Sequence, residues 1–375
     1  MRSFRAGPAA LAAAVASMLT LVGCAAVTAR ISAPATPLAV ATTAARASAA
    51  SAPGTSIFGL TLDNESLTVT AAGLYLTWYR VRPSGSVTGE VLARADAGTG
   101  LIVAQRKFGS GLLGAPLLAD GSLWVTDSTA GDGAPGRESL LRLNPATLAV
   151  TGQLTVGGGD YGSNDSGLRG QIAAAGGSIW MDGGGLLVRV DPRSMRQDLS
   201  IAFPGLGNSS LGASPDGTVL IVAETRNGIG TVQRRDPVTG ALLASSASNG
   251  VITPAIADVT TSGVWLAVPT GMMGYVERVR TGSLSPVQST DVAGTNGIRV
   301  RYGDGALWVT DPVGGAARNY CADPATGRVR ARLPLPDLGQ DQLLAVGPRV
   351  LYYAAFTSSA NGWRIATAAV PAACD

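Results

Sequence analysis

The sequence predicts an all-β fold, a seven-bladed β-propeller of four-stranded blades, on the strength of two recurring phrases. The first phrase is Gly-x-Leu-Trp-Val, with close variants, and its Trp stands at positions 124, 180, 265 and 308. The second is a turn phrase, Asp-Pro-x-Thr-Gly, whose clearest copies are Asp236–Gly240 and Asp323–Gly327. Recurrence at a near-constant period indicates a repeat architecture.

The number of blades follows from the residues at the Trp position, which we call the anchors. Counting degenerate copies, the anchors are Tyr75, Trp124, Trp180, Leu220, Trp265, Trp308 and Tyr352. Successive anchors are 49, 56, 40, 45, 43 and 44 residues apart. A four-stranded blade takes about 40–50 residues, whereas helical repeats are shorter and need a helical periodicity. Seven anchors therefore predict seven blades, with each anchor packed between neighbouring blades.

The turn phrase has a physical basis. Pro sets φ at the second turn position, Asp accepts a hydrogen bond from the backbone two residues on, and Gly adopts a positive φ. The phrase lies between short runs rich in β-forming residues, such as Thr231 to Arg235 and Ala241 to Ala247. We expect it to join the third and outer strands of a blade.

The N-terminal region divides into a targeting segment and a tether. Residues 1–24 combine Arg2 and Arg5 with a short apolar run, which is typical of a signal peptide. The ending Leu21-Val22-Gly23-Cys24 resembles the lipobox of bacterial lipoproteins, which implies acylation of Cys24 and anchoring at the extracytoplasmic face of the cell membrane. A plain secretory peptide is the alternative. Residues 25–54 are rich in Ala, Ser, Thr and Pro and predict a disordered tether, which leaves 55–375 for the propeller.

Strand phase and cysteine positions predict how the propeller is closed. The last repeat lacks an outer strand, and Ser56–Leu62 has no partner in the first repeat. We expect this N-terminal strand to complete the last blade by pairing with its third strand, which would remove an exposed edge. Cys321 and Cys374 fall on the same face of adjacent blades and predict a disulfide. Two free buried thiols are the alternative.

Composition excludes several kinds of chemistry. The chain contains no His, so the Ser-His-Asp and Cys-His arrangements and His-based metal sites are absent. The formal net charge is +3, and no basic run with interleaved aromatics predicts nucleic-acid binding. We favour a protein that is not an enzyme, and catalysis that does not need His stays open as the alternative. We also expect a monomer.

A binding site is predicted at the mouth of the channel, where loops between blades and loops between second and third strands meet. Converging carboxylates and amides there could bind Ca²⁺ or a polar ligand, or they could cap the inner strands instead. Asp127, Asp182 and Asp311 end second strands and predict Asx turns. The candidate ligand-binding residues are Asn64, Glu65, Arg169, Asn208, Asn296, Asp341 and Gln342.

The two phrases resemble the repeats of YVTN-type and streptogramin-lyase-like propellers, and Asp96–Gly100 resembles a quinoprotein repeat turn. The resemblance implies the fold. It does not imply the lyase activity, because streptogramin lyases use a catalytic His that the chain lacks. Our first hypothesis is a membrane-anchored binding or scaffold module for a protein or polar ligand. The alternative is a metal-dependent lyase or lactonase that uses Glu65 and Asp341, and a redox quinoprotein is a third possibility.

Overall fold

The structure, a computed structural model, divides into two units, Met1–Ala49 and Ala50–Asp375. The predicted signal peptide, the lipidation site Cys24 and the tether 25–54 lie outside the described residues. The structure describes residues 56–57, 66–70, 73–81, 87–96, 102–109, 112–129, 137–156, 171–183, 186–202, 209–226, 229–247, 255–260, 263–269, 274–292, 299–303, 305–310, 320–333, 342–347, 350–357 and 362–374.

The described strands form seven antiparallel sheets, numbered here in chain order. Sheet 1 is β2 (Ser66–Thr70), β3 (Gly73–Val81), β4 (Val87–Ala95) and β5 (Ile102–Lys107). Sheet 2 is β6 (Leu112–Leu113), β7 (Leu117–Ala119), β8 (Ser122–Thr129), β9 (Arg137–Leu143) and β10 (Val150–Val156), with β6 and β7 both paired to β8. Sheet 3 is β11 (Ile172–Ala175), β12 (Ser178–Gly183), β13 (Leu186–Asp191) and β14 (Arg196–Ala202).

The remaining sheets repeat this order. Sheet 4 is β15 (Ser209–Ala213), β16 (Leu220–Arg226), β17 (Ile229–Arg235) and β18 (Leu242–Ala247). Sheet 5 is β19 (Ala255–Val259), β20 (Val264–Pro269), β21 (Gly274–Val279) and β22 (Pro286–Val292). Sheet 6 is β23 (Arg299–Gly303), β24 (Ala306–Thr310), β25 (Tyr320–Ala322) and β26 (Val329–Arg332). Sheet 7 is β27 (Gln342–Gly347), β28 (Val350–Thr357), β29 (Gly362–Ala369) and β1 (Ser56–Ile57).

The outer strand of sheet 7 comes from the other end of the chain. Ser56 pairs with Arg364 and Ile57 with Trp363, so β1 lies antiparallel to β29, the third strand of this sheet. This is the partner that the sequence predicts for the segment Ser56–Leu62. Residues 58–62 of that segment lie outside the described residues.

Neighbouring sheets contact one another through their first strands. β7 contacts β11, and the series continues through β15, β19, β23 and β27. β27 in turn contacts β2, so sheet 7 meets sheet 1, while sheet 1 meets sheet 2 through β4 and β6. Within the described part of the chain, no helix combines the length and apolar character that crossing a bilayer requires.

The anchors pack between sheets, as predicted. Trp124 and Trp180 are fully buried, and each joins an apolar cluster whose other members include residues of the following sheet. Tyr75 and Trp308 do the same toward sheets 2 and 7. Replacing a buried side chain of this size with Ala costs about 3–5 kcal/mol. The apolar core is therefore distributed over the junctions between sheets.

Leu220 packs between neighbouring sheets, as predicted, but on the opposite face of its strand from the Trp anchors. Leu220 packs with Trp180 at the junction with sheet 3, whereas Ile221 occupies the cluster facing sheet 5. The cause is one additional residue between the hairpin glycine and the second strand. Ser178 pairs directly after Gly177, whereas Thr218 separates Gly217 from Val219, whose carbonyl oxygen accepts the Ser214 N–H. Counted from the glycine, the strand is therefore shifted by one residue, and in a strand one residue exchanges the two faces.

The turn phrases have the predicted chemistry. Asp236 Oδ1 accepts hydrogen bonds from the backbone N–H groups of Val238 and Thr239, at 2.9 and 2.7 Å, and Gly240 has φ of 71°. Asp323 forms the same bonds with Ala325 and Thr326. Each turn connects the third and fourth strands of its sheet. These turns therefore lie at the end of the sheet where the first-to-second hairpins also lie.

Cys321 and Cys374 form a disulfide, with Sγ atoms 2.05 Å and Cα atoms 5.9 Å apart. Cys321 lies in β25 opposite Trp308, and Cys374 lies in a 3₁₀ turn after β29, Ala372–Cys374. Arg330 supports the same junction, because it donates to the carbonyl oxygen of Cys374 and pairs with Asp323 at 2.7 Å. The C-terminus of sheet 7 is thereby attached to sheet 6.

Candidate functional site

The site predicted from the sequence falls almost entirely outside the described residues. Gln342 is the one member with a described backbone, and it begins the first strand β27, as expected from its place in the repeat. The side chain of Gln342, the other six candidates and Asp311 lie outside the part of the chain that the structure describes. The residues concerned are Asn64, Glu65, Arg169, Asn208, Asn296 and Asp341.

A cleft of about 550 Å³ lies at the opposite end of the sheets, among hairpins of sheets 2, 3 and 4. This volume is within the range of about 300–1,000 Å³ that is usual for ligand sites. The hairpins between the first and second strands of sheets 2, 3 and 4 form it, together with the turn between the third and fourth strands of sheet 3. The lining residues are Leu118, Ala119, Asp120, Ala174, Ala175, Gly177, Ser178, Ile179, Asp191, Pro192, Arg193, Pro215, Asp216 and Gly217.

Local hydrogen bonds hold the hairpins that form the cleft. Asp191 Oδ1 accepts from the N–H groups of Arg193 and Ser194, at 2.9 and 2.7 Å, and from the Ser194 hydroxyl. Asp216 Oδ1 accepts from Thr218 N–H and Thr218 Oγ1. The Gly176 N–H donates to the carbonyl oxygen of Gly217 at 2.9 Å, which joins the hairpins of sheets 3 and 4. The cleft is therefore built from cross-linked turns.

A series of hydrogen bonds fixes the outer turns against the preceding sheets. Tyr75 Oη donates to the Pro145 carbonyl at 3.0 Å, Arg142 Nη1 to the Pro192 carbonyl at 2.7 Å, and Trp180 Nε1 to the Pro237 carbonyl at 3.2 Å. In each case the acceptor is the Pro of the turn phrase in the next sheet. The contact from Arg142 holds the Pro192 side of the cleft in place.

The charge of the cleft is predominantly negative. It contains the carboxylates of Asp120, Asp191 and Asp216 and one guanidinium, that of Arg193. The bonds from Ser194 lower the pKa of Asp191, and the bonds from Ser214 and Thr218 lower that of Asp216. Both carboxylates are therefore ionised at neutral pH. Among the lining residues, Ser178 is the single hydroxyl, so the polar character of the cleft comes mainly from its charged groups.

A second group of carboxyl groups is buried at the junctions between sheets. The Leu113 N–H donates to Glu90 Oε2, and burial raises the pKa of Glu90 to about 8, with the nearby Asp127 carboxylate adding to the effect. Burial also raises the pKa of Asp127, whose Oδ1 has no hydrogen-bond partner within the described residues. Burial raises the pKa of Asp182 too, and its carboxylate accepts a hydrogen bond from the Ser209 hydroxyl of the next sheet.

These contacts correct the prediction of Asx turns at Asp127 and Asp182. Asp127 lies inside β8, where it pairs with Leu113 and Ser139, and Asp182 lies inside β12. Both side chains interact across a junction, Asp127 with Glu90 of sheet 1 and Asp182 with Ser209 of sheet 4. Within the described residues, no group of three or more His, Cys, Asp or Glu side chains is placed to hold a metal ion.

Comparison with known proteins identifies the fold. No family model matches the chain, and no curated protein matches it either. A chain of a mitotic checkpoint complex superposes with a TM-score of 0.58 at 12% identity, covering 93% of this chain and all of that one. The WD40 domain of Toxoplasma gondii coronin gives 0.57 at 13% identity, with 85% of each chain covered. The computationally designed Ika8 protein gives 0.51 at 12% identity, over 80% of this chain and 83% of its own. The chain is thus an all-β protein of four-stranded antiparallel sheets whose structural neighbours are WD40-like propellers.

Proposed function

We propose that the chain is a seven-bladed propeller that acts as an extracytoplasmic binding or scaffold module for another protein. Two observations support the ring. The first-strand contacts run from sheet 2 to sheet 7 and return to β2, and β1 supplies the outer strand of sheet 7 from the N-terminal end of the chain. A ring of this kind protects strand edges and holds many loops in a rigid arrangement.

The observation that carries the binding function is the cleft among sheets 2, 3 and 4. Its walls come from separate repeats, yet hydrogen bonds such as Gly176 to Gly217 and Arg142 to Pro192 hold them together. A partner therefore meets a preorganised surface and pays little for ordering it. WD40-like neighbours fit protein recognition, and the cleft offers charged groups that a partner could bind.

We further propose that acylated Cys24 tethers the module to the membrane. The Leu21-Val22-Gly23-Cys24 sequence supports this, and two or more acyl chains would provide stable anchoring. In cells, Cys24→Ser should abolish incorporation of a labelled fatty acid and move the protein out of the membrane fraction. Unchanged labelling of Cys24→Ser would overturn the tether proposal and leave the binding function open.

The binding function is tested by cross-linking the tagged full chain in its native host and measuring each captured protein against the purified full chain. We expect at least one protein to bind saturably with a one-to-one stoichiometry. The absence of saturable binding, together with chelator-sensitive turnover of a lactone or a lyase substrate, would replace this proposal with the metal-dependent enzyme.

A further inference from the structure

The cleft combines apolar residues that are buried or partly buried with charged residues that are more exposed. Leu118 and Ala174 are partly buried and Pro192 is buried, whereas Asp120, Arg193 and Asp216 are exposed and form a charged rim. At the rim stand three carboxylates and one guanidinium, which leaves an excess of two negative charges. Long basic side chains have the complementary form, because an apolar methylene stem carries a charged head.

The rim carboxylates have oxygens to offer a ligand. The turn bonds of Asp191 and of Asp216 all end on Oδ1, so each group keeps a second oxygen outside its turn. Asp120 is exposed and belongs to the hairpin of sheet 2, on the other side of the cleft. A cationic head entering between these hairpins could donate hydrogen bonds to carboxylates from three different sheets, and charge-assisted hydrogen bonds are the stronger kind.

The backbone at Gly177 leaves room for a ligand to approach. Gly177 has φ of 71°, and a Cβ placed on it would have no neighbour within 4 Å. The same is true of Gly305, which occupies the equivalent hairpin position in sheet 6 and does not line the cleft. The two glycines therefore share their backbone conformation and differ in whether the space in front of them belongs to the cleft.

We propose that this cleft is the site at which the protein binds a basic side chain, arginine or lysine, of a partner polypeptide. The assignment rests on the proposed function as a protein-binding module and names the chemistry that the partner presents. The apolar walls hold the methylene stem, and the carboxylates of Asp120, Asp191 and Asp216 receive the cationic head. The positive charge of Arg193 repels the cationic head of the ligand, so the head enters from the side of the cleft away from Arg193.

The test uses the purified full chain and a fluorescein-labelled peptide, Ser-Gly-Arg-Gly-Ser, with an otherwise identical peptide carrying citrulline as the uncharged comparison. Fluorescence anisotropy should show saturable binding of the arginine peptide and at least about tenfold weaker binding of the citrulline peptide, the factor expected when one charge-assisted hydrogen bond is lost. Added salt should weaken the arginine complex. Equal affinities for the two peptides, or no binding of either, would overturn the assignment.

Two pairs of variants locate the binding. Asp120→Asn should weaken the arginine peptide by about tenfold, whereas Asp198→Asn, an exposed carboxylate paired with Arg189 outside the cleft, should not. Gly177→Asn should block the cleft and weaken binding of the arginine peptide. Gly305→Asn places the same side chain at a similar φ outside the cleft and should leave binding unchanged. Thermal melting of all four variants checks their folding, and equal effects within either pair would refute the assignment.

Failure of the cleft assignment can be distinguished from failure of the proposed function. If the cross-linked partner protein binds Gly177→Asn as well as it binds the unaltered chain, the module function stands and the cleft is the wrong site. If the arginine peptide binds as described and cross-linking captures no saturable partner, the cleft assignment stands and the proposed function fails.

Discussion

Glu90→Gln should remove part of the pH dependence of the protein's stability. Glu90 is completely buried in β4, and its Oε2 accepts the Leu113 N–H across the junction between sheets 1 and 2. Burial, with Asp127 close by, raises its pKa from 4.5 to about 8. Gln keeps an acceptor oxygen of nearly the same shape for Leu113 and carries no charge at any pH.

The sign and size of the effect follow from proton linkage. Below pH 4.5 the carboxyl group is protonated in both the folded and the unfolded chain, and its full contribution to stability is present. Between pH 4.5 and about 8 the unfolded chain loses the proton while the folded chain keeps it. The free energy of unfolding therefore falls as pH rises, by up to about 1.4 kcal/mol per pH unit and about 5 kcal/mol across the whole window.

The measurement is urea denaturation of the unaltered chain, Glu90→Gln and the exposed control Asp198→Asn, at pH values from 5 to 8. We expect Glu90→Gln to gain stability relative to the unaltered chain as pH rises, by at least about 2 kcal/mol between pH 5 and 8. The contribution of Asp182 is common to all three proteins, whereas Asp127 interacts with Glu90, so the difference between the profiles reports the Glu90–Asp127 pair and not Glu90 alone. Parallel profiles for Glu90→Gln and the unaltered chain would refute the reasoning.

Three further substitutions test the junctions between sheets, each by denaturant unfolding. Cys374→Ser opens a loop of 53 residues and should cost about 4 kcal/mol in the oxidised protein, while reductant should bring the unaltered chain close to the variant; no difference under oxidising conditions would contradict this. Tyr75→Phe deletes the donor to the Pro145 carbonyl and should cost about 1 kcal/mol with little change in packing, and a neutral effect would mean that water replaces the bond. Gly176→Ala adds a Cβ that collides with the backbone carbonyl of Pro237 in the next sheet and should cost about 1–3 kcal/mol more than Gly121→Ala, which has a similar φ and open space; equal costs would show that φ alone decides.

Most of the secondary structure could be predicted because it depends on local chemistry. The turn phrase at Asp236–Gly240 contains its own hydrogen-bonding partners, and the recurring Trp residues mark second strands at a regular spacing. The pairing of Ser56–Ile57 with β29 could also be predicted, since the last repeat lacks an outer strand and the N-terminal segment is surplus. The disulfide between Cys321 and Cys374 could be predicted in the same way, because their places in the repeat put both residues on the same face of adjacent sheets.

The errors arose where phase or orientation depends on distant residues. One additional residue between Gly217 and the hydrogen-bonded part of its hairpin moved the anchor of sheet 4 from Leu220 to Ile221, and nothing in the phrase Gly-Thr-Val-Leu itself signals that shift. Asp127 and Asp182 resemble turn residues in sequence, yet their positions inside strands direct them at the neighbouring sheets, where burial changes their protonation.

By itself, the sequence determined the repeat, the strand-and-turn chemistry of each unit and the absence of His-based catalysis. The tertiary structure decided which residues share a site: Asp120, Asp191 and Asp216, from three repeats, line one cleft. The physical reason is that a turn is stabilised by bonds among its own few residues, whereas the cleft depends on how whole sheets stack. That stacking is set by side chains such as Trp180 and Arg142, which reach the turn of the next sheet.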